Sequence, residues 1–199
     1  GETIAGSLYL TYLSDVMKGD ISKAIRLATS KKNGFTAPPV WIDITGDKIP
    51  DIIANAADGR LLAFNGNTYE RLWETQMDGT EAYSSIAVGH FTNDITPDFF
   101  VSYAQGSWPN LDWSKQFMVN GMNGKIELTD SLGYLQLTTP VAADLNSDNI
   151  DEAILNMNYM EIDSIYRKSF YNLLLAFDFK RNTLIPLTDA LPGHNISTT

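Results

Sequence analysis

Three stretches of the chain share one pattern, in which a short apolar run, a polar loop and a second apolar run follow one another. They read VWIDITGDKIPD at residues 40–51, AVGHFTNDITPD at residues 87–98 and VAADLNSDNIDE at residues 141–152. The stretches align without gaps and begin 47 and then 54 residues apart. A period of roughly 40–50 residues is typical of propeller blades. The sequence therefore predicts an array of equivalent β units.

Each unit divides into four short predicted strands, because apolar runs alternate with turn-forming residues. The predicted strands cover 39–42, 51–55, 60–65 and 69–75, then 85–88, 98–103, 116–120 and 125–129, then 140–143, 152–157, 171–179 and 183–187. The strand that opens each unit is short, and in the second and third units it consists partly of small residues. Small residues suit strands crowded around a central axis.

The N-terminal region is predicted to hold two strands, at 7–13 and 24–29, which form the outer strands of a preceding, truncated blade. The predicted divisions are 1–38 for those strands, 39–84, 85–137 and 138–190 for three blades, and 191–199 for the start of a next blade or a tail. The predicted fold is therefore all-β, a propeller fragment of about three four-stranded blades. Since propellers close on themselves to remove strand edges, the remaining blades are expected from the same longer chain or a partner chain. An open three-sheet β-prism or solenoid is the alternative.

Composition narrows the function classes. The chain has 199 residues, of which 44% are hydrophobic and 19% charged, as in globular proteins. Its net charge of −10 disfavours nucleic acid as a partner, because phosphate binding needs clustered Lys and Arg. The absence of cysteine excludes disulfides, zinc–thiolate sites and thiol catalysis. No apolar run approaches the ~20 residues that span a bilayer, so no membrane insertion is expected.

The loops between the apolar runs concentrate oxygen donors at alternate positions. Loop positions 1, 3, 5 and 9 hold side-chain donors, and position 7 offers a backbone carbonyl. The donors are Asp43, Thr45, Asp47, Ile49 (carbonyl) and Asp51 in the first loop, and Asp144, Asn146, Asp148, Ile150 (carbonyl) and Glu152 in the third. Hard oxygen donors at this spacing favour Ca²⁺. The alternative is an Asx-turn, in which these side chains cap backbone amides without a metal.

The second loop is the weaker metal candidate. It offers Thr92, Asp94 and Asp98, but His90 stands where the other loops have their first aspartate. His90 is predicted to be a hydrogen-bonded structural residue rather than a general base, and the other histidine, His194, lies in a different unit. No catalytic residue is predicted.

An Asp-x-Asn/Thr-x-Asp-x-x-x-Asp/Glu loop repeated between apolar strands resembles the FG-GAP/VCBS repeats of integrin α-subunit propellers and many bacterial secreted proteins. The resemblance covers roughly residues 39–187. It implies that the loops bind structural calcium and that the protein is extracellular, periplasmic or on the cell surface, with an adhesion role. The family usually has glycine at loop position 6, where this chain has Lys48, Ile95 and Asn149.

Two predicted insertions between strands carry candidate ligand contacts. Residues 107–113 include Trp108 and Trp113, and residues 158–169 include Tyr159 and Tyr166. Aromatic rings on loops suit contact with a protein or a glycan. The predicted function is thus a calcium-stabilised propeller scaffold that binds a protein or glycan through its inter-strand loops. The alternative is a catalytic or non-catalytic propeller domain of a polysaccharide-active enzyme.

Overall fold

A computed structural model describes residues 5–134 and 137–193, and it is nearly all β. The chain begins with strand β1 (Gly6–Leu10), the short helix α1 (Leu13–Val16) and strand β2 (Ile25–Ser30), and β1 pairs with β2 antiparallel. The sequence predicted both strands, but the end of the first predicted strand lies in α1 instead. Among the described residues no helix is long and apolar enough to cross a membrane.

Three antiparallel sheets of four, five and five strands follow, and in each of them four strands pair in chain order. The first unit contains β3 (Val40–Ile42), β4 (Asp51–Ala56), β5 (Arg60–Phe64) and β6 (Arg71–Gln76). The short β7 (Thr80–Glu81) leads to β8 (Ala87–Gly89), β9 (Asp98–Ser107), β10 (Asn110–Val119) and β11 (Ile126–Asp130). The third unit contains β12 (Val141–Ala143), β13 (Glu152–Ile162), β14 (Lys168–Asp178) and β15 (Thr183–Pro186), and β16 (Leu191–Pro192) also pairs with β14. The predicted four-strand units are therefore present, as open sheets.

The prediction that residues 107–113 and 158–169 are loop insertions is wrong. Strand β9 continues to Ser107 and β10 starts at Asn110, so only two residues form the turn between them. In the third unit β13 continues to Ile162 and β14 starts at Lys168. The added residues extend both hairpins because their backbone N–H and C=O groups pair across the hairpin and need no core beneath them.

The three sheets share one cross-strand register. One row of paired residues crosses each sheet from its first strand to its fourth. The rows are Val40, Ile53, Ala63 and Trp73 in the first sheet, Ala87, Phe100, Met118 and Leu128 in the second, and Val141, Ile154, Ala176 and Ile185 in the third. The sequence repeat is thus a structural repeat, strand by strand.

Alternating side chains stack the sheets face to face in chain order. Ile52 packs towards β1 and β2, whereas Ile53 packs on the second sheet in a cluster with Phe99. Phe100 faces the other way and packs with Phe177 of the third sheet, with ring centroids 5.1 Å apart. Side chains of successive strand residues point to opposite faces, so the apolar runs of the middle strands supply both interfaces.

The opening strands of neighbouring units lie close together. A Cβ atom added at Gly89 in β8 would lie 2.8 Å from the Cβ atom of Ala142 in β12. No larger residue fits at Gly89 without movement of these strands. The small residues of the opening strands therefore permit the close approach that the sequence analysis expected of them.

Candidate functional site

The predicted metal loops and the predicted aromatic contacts lie at opposite ends of the sheets. Each loop joins the first strand of a unit to the second, and a turn joins the third strand to the fourth. In an antiparallel meander these two connections share one end, while the hairpin between the second and third strands points to the other. Two candidate sites result, the loop end and the hairpin end.

A buried aspartate closes the loop end of the first unit. Asp51, at loop position 9, has 0% exposure. Its Oδ2 accepts hydrogen bonds from the amides of Ile44 (2.9 Å) and Thr45 (3.1 Å), and its Oδ1 accepts one from the amide of Gly66 (2.9 Å). One carboxylate thus joins the loop to the neighbouring turn.

The second unit uses the same position in the same way, and in the third unit the carboxylate at this position binds the loop. In the second, Oδ2 of Asp98 accepts from the amide of Thr92 at 2.9 Å, and its Oδ1 accepts from the amide of Gly121 at 3.1 Å. In the third, Oε2 of the buried Glu152 accepts from the amide of Leu145 at 2.7 Å. Burial raises the pKa of Asp98, with the charge of Asp94 acting in the same direction and the hydrogen bonds opposing it.

Glycine is required in the turns that these carboxylates hold. A Cβ atom on Gly66 would lie 1.9 Å from the carbonyl oxygen of Pro50, and one on Gly121 would lie 1.8 Å from that of Pro97. The sequence analysis did not identify the close packing at either glycine. The signal that could have identified both is the Asn-Gly pair at the end of the third strand in the first and second units.

The first residue of the first and third loops caps backbone amides. Oδ1 of Asp43 accepts from Gly46 at 2.7 Å, and its Oδ2 accepts from Lys48 at 2.8 Å. Although desolvation acts in the opposite direction, these amides lower the pKa of Asp43. In the third loop, Oδ2 of Asp144 accepts from Asn149 at 3.0 Å. The side chains at position 1 therefore act as the Asx-turn alternative expects.

Loop position 6 adopts the left-handed conformation without glycine in two loops. The φ angle is 70° at Lys48 and 66° at Asn149, whereas Ile95 of the second loop stays outside that region. The second loop differs again at His90, which is exposed and whose amide donates to Oδ2 of Asp151 at 2.7 Å. The first and third loops are thus alike, and the second is a different turn.

The carboxylates of the loops do not point at one centre. Over residues 5–134 and 137–193, no three His, Asp or Glu side chains form a group that could hold a metal ion. In the third loop, basic side chains already balance Asp148, since Nζ of Lys180 lies 3.4 Å and Nη2 of Arg181 lies 3.8 Å from its Oδ2. In the first unit the matching turn positions are the neutral Asn67 and Thr68. By its donor chemistry the first loop is therefore the better calcium candidate.

At the hairpin end the four predicted aromatic residues fall into two groups. Trp108 and Tyr166 lie at the hairpin turns and are 66% and 88% exposed. The other two belong to strands, where Trp113 stacks on Tyr134 with ring centroids 4.3 Å apart and Tyr159 stacks on Tyr171 at 5.3 Å. Only Trp108 and Tyr166 expose most of their ring surface to a binding partner.

A buried glutamate anchors the Trp108 hairpin. Glu81 is 1% exposed, and its Oε2 accepts from the Trp108 amide at 3.0 Å and from the Tyr83 hydroxyl at 2.5 Å. Nζ of Lys32 lies 3.3 Å from Oε1 and also donates to Oγ of Ser107 at 2.8 Å. Burial opposes ionisation, but these hydrogen bonds outweigh it and lower the pKa of Glu81, while burial and the Glu81 contact raise the pKa of Tyr83 to about 12. The sequence analysis missed this cluster because its members come from three separate segments.

Comparison with models of known protein families gives no match for this chain, and no curated protein matches it. The resemblance to FG-GAP/VCBS repeats therefore stays a prediction that depends on the loop pattern. His194 lies outside the described residues.

Proposed function

We propose that this chain forms three consecutive blades of a β-propeller and acts as a scaffold that binds a protein or a glycan at its hairpin end. The observation that carries the proposal is the shared register of the three stacked sheets, each closed by a carboxylate at the same loop position. The β1–β2 pair packs on the other side of the first sheet, as outer strands of a preceding blade would.

A propeller accounts for the spacing of the units better than a β-prism or solenoid does. Blades fan out from an axis, so their first strands must be short and closely spaced. The opening strands have three residues each, and Gly89 meets Ala142 at a distance that excludes a side chain. The loops of neighbouring units are also linked, because the amide of Asp151 donates to the carbonyl of His90 at 2.9 Å.

The loop end has a stabilising role in this proposal, with calcium as its structural ion. In the first loop, Asp43, Thr45, Asp47, Asp51 and the carbonyl of Ile49 would supply the oxygen ligands. Oδ2 of Asp43, Oδ1 of Asp47 and Oδ1 of Asp51 each accept one amide hydrogen and so keep a second lone pair. In the third loop a calcium ion would have to displace Lys180 from Asp148. This role implies an extracellular, periplasmic or cell-surface location, because calcium is available there.

The calcium proposal predicts a chelator effect that depends on the first loop. Thermal unfolding is followed by circular dichroism with added Ca²⁺ and with EDTA, for the wild-type chain, Asp43→Asn and the matched second-loop variant Asp94→Asn. We expect EDTA to lower the Tm of the wild type and of Asp94→Asn, and to leave Asp43→Asn unchanged. If EDTA has no effect and metal analysis finds no calcium, the loops are metal-free Asx-turns.

The third loop is tested by removing its competing cation. Lys180→Met takes away the ammonium group that contacts the side chain and the carbonyl of Asp148. Calcium titration of this variant, followed by calorimetry, should show one more bound ion than the wild type. An unchanged stoichiometry would contradict calcium binding at the third loop.

The binding proposal predicts that Trp108 and Tyr166 carry the contact. The wild-type chain is screened on a glycan array and against candidate extracellular proteins, and the hits are measured again with Trp108→Ala and Tyr166→Ala. The matched control is Trp41→Ala, because Trp41 is also half exposed but belongs to a different strand, β3. We expect at least a tenfold loss for the hairpin variants alone. Equal binding by all variants would exclude the hairpin end as the contact surface.

A further inference from the structure

The third sheet has one face that the described residues cover only in part. Its cross-strand row of Val141, Ile154, Ala176 and Ile185 points away from the second sheet, because the alternate residues Ala153, Leu155 and Phe177 pack towards it. We call the face that carries this row the outward face. Val141 is 55% exposed and Leu174, on the same face, is 39% exposed, whereas the small Ala176 is buried.

The matching faces of the other two sheets are interfaces. Ile53 and Ala63 of the first row have 0% exposure and lie in the cluster shared with the second sheet. Phe100 and Met118 of the second row are buried in the cluster shared with the third. The outward face has the same apolar row in the same register, so it has the composition of a sheet-to-sheet interface.

A buried amide on the outward face lacks the partner that its counterpart has. Asn55, four residues after Asp51, donates from Nδ2 to the carbonyl of Ser84 at 2.9 Å, and Ser84 lies in the segment that enters the second sheet. Asn156 occupies the same place, four residues after Glu152. Its Nδ2 is buried and has no hydrogen-bond partner among the described residues. An unsatisfied buried donor costs about 1–3 kcal/mol. A segment that leads into a further sheet, as the Ser84 segment leads into β8, would supply the missing acceptor.

Strand β16, which follows the third sheet, pairs with one neighbouring strand. The equivalent segment at Tyr134, which follows the second sheet, pairs with two. Tyr134, between the second and third sheets, bridges Trp113 of β10 and Asn158 of β13. In β16, Leu191 pairs with Asn172 of β14, and no strand of another sheet pairs with β16 in the described part of the chain.

From these three observations we propose that the outward face is the docking site of a further four-stranded antiparallel sheet of this repeat. That sheet covers the apolar row, its entering segment accepts the hydrogen bond from Asn156, and its second strand pairs with β16. The inference rests on the proposed stacking of equivalent units, and it is independent of calcium and of ligand binding.

A duplicated unit tests the proposal directly. A copy of residues 140–193 joined after Gly193 places the second copy of Val141 54 residues after the first, which is the spacing from Ala87 to Val141. Amide hydrogen exchange is measured for β13 and β14 of the original third sheet. We expect at least tenfold slower exchange than in the unextended chain, and no slowing when the copy carries Leu155→Lys on its docking side. Equal exchange in the extended and unextended chains would overturn the proposal.

A second pair of variants gives an answer even if the extended chain does not fold. Ile154→Thr in the unextended chain should lower Tm far less than Ile53→Thr, because only Ile53 is already covered by a neighbouring sheet. Equal losses would show that the outward face is covered within the chain itself and would overturn the proposal. Self-association that Ile154→Lys abolishes, measured by analytical ultracentrifugation with exposed Ile95→Lys as the control, would assign the face to a second copy of this chain instead.

Discussion

Asp51 is fully buried, and its two carboxylate oxygens accept hydrogen bonds from three backbone amides in two separate segments. Removing the Asp51 carboxylate leaves those three amides without a protein acceptor. Since each unsatisfied buried group costs about 1–3 kcal/mol, Asp51→Ala should lower the free energy of unfolding by at least about 3 kcal/mol in urea denaturation. The control is Asp47→Ala, because Asp47 is exposed and caps one amide, that of Ile49. Equal losses for the two variants would contradict the assigned role.

Glu81 makes the stability of the fold depend on pH. Its pKa is lower in the folded chain than in the unfolded one, so its ionised form stabilises the fold above the unfolded-state pKa, and that contribution is lost as pH falls through the folded-state value. The stability difference between the wild type and Glu81→Gln should therefore shrink between about pH 5 and pH 3. Urea denaturation across this range measures it. A difference that stays constant would show that the Glu81 charge is not what anchors the hairpin.

At this scale the sequence could identify which residues matter but not what they contact. Asp51 and Glu152 stand at predicted ligand positions, and the same oxygen atoms that would bind a metal also accept amide hydrogens. The spacing of the aspartates is compatible with both arrangements. The Glu81 cluster could not be predicted, because Lys32 and Trp108 approach it only after the sheets have stacked.

Among the elements, the turns between the third and fourth strands are the most constrained by shape. A side chain at Gly66 or Gly121 would collide with a backbone carbonyl, and such atoms cannot move aside without shifting a strand. Gly66→Ala and Gly121→Ala should each destabilise the chain by more than about 2 kcal/mol. Gly19→Ala is the matched control, because Gly19 has a φ of 70° but open space around it, so its cost should stay near the ~1 kcal/mol of a strained backbone. If the three variants unfold at the same urea concentration, Gly66 and Gly121 are not packed against the carbonyl groups of Pro50 and Pro97.

The length of the hairpins is the element property that the sequence did not predict. The first three strands of each sheet are mostly apolar in the stacked part, and the predicted bounds there agree with the structure to within two residues in most cases. Beyond that part, β9, β10, β13 and β14 carry polar and aromatic residues without a regular pattern. Backbone pairing, ring stacking and the contacts of Glu81 maintain those arms, and none of these leaves a regular hydrophobic pattern.

For the whole molecule, the decisive property is that the three sheets are equivalent. The sequence predicted this from loops that recur at blade-like spacing, and the shared register agrees with it. In the stack, buried carboxylates hold the loop end, and the hairpin end carries exposed aromatic rings.

Distances between equivalent points on the three sheets test this equivalence most directly. The chain has no cysteine, so pairs of spin labels can be placed without background at Glu74, Thr129 and Pro186, which lie at matching positions of the fourth strands. Pulsed electron paramagnetic resonance should give equal 74–129 and 129–186 distances, and a 74–186 distance shorter than their sum, as expected for blades that fan around an axis. Unequal neighbour distances would contradict the account, because the three units would then not be repeats of one arrangement.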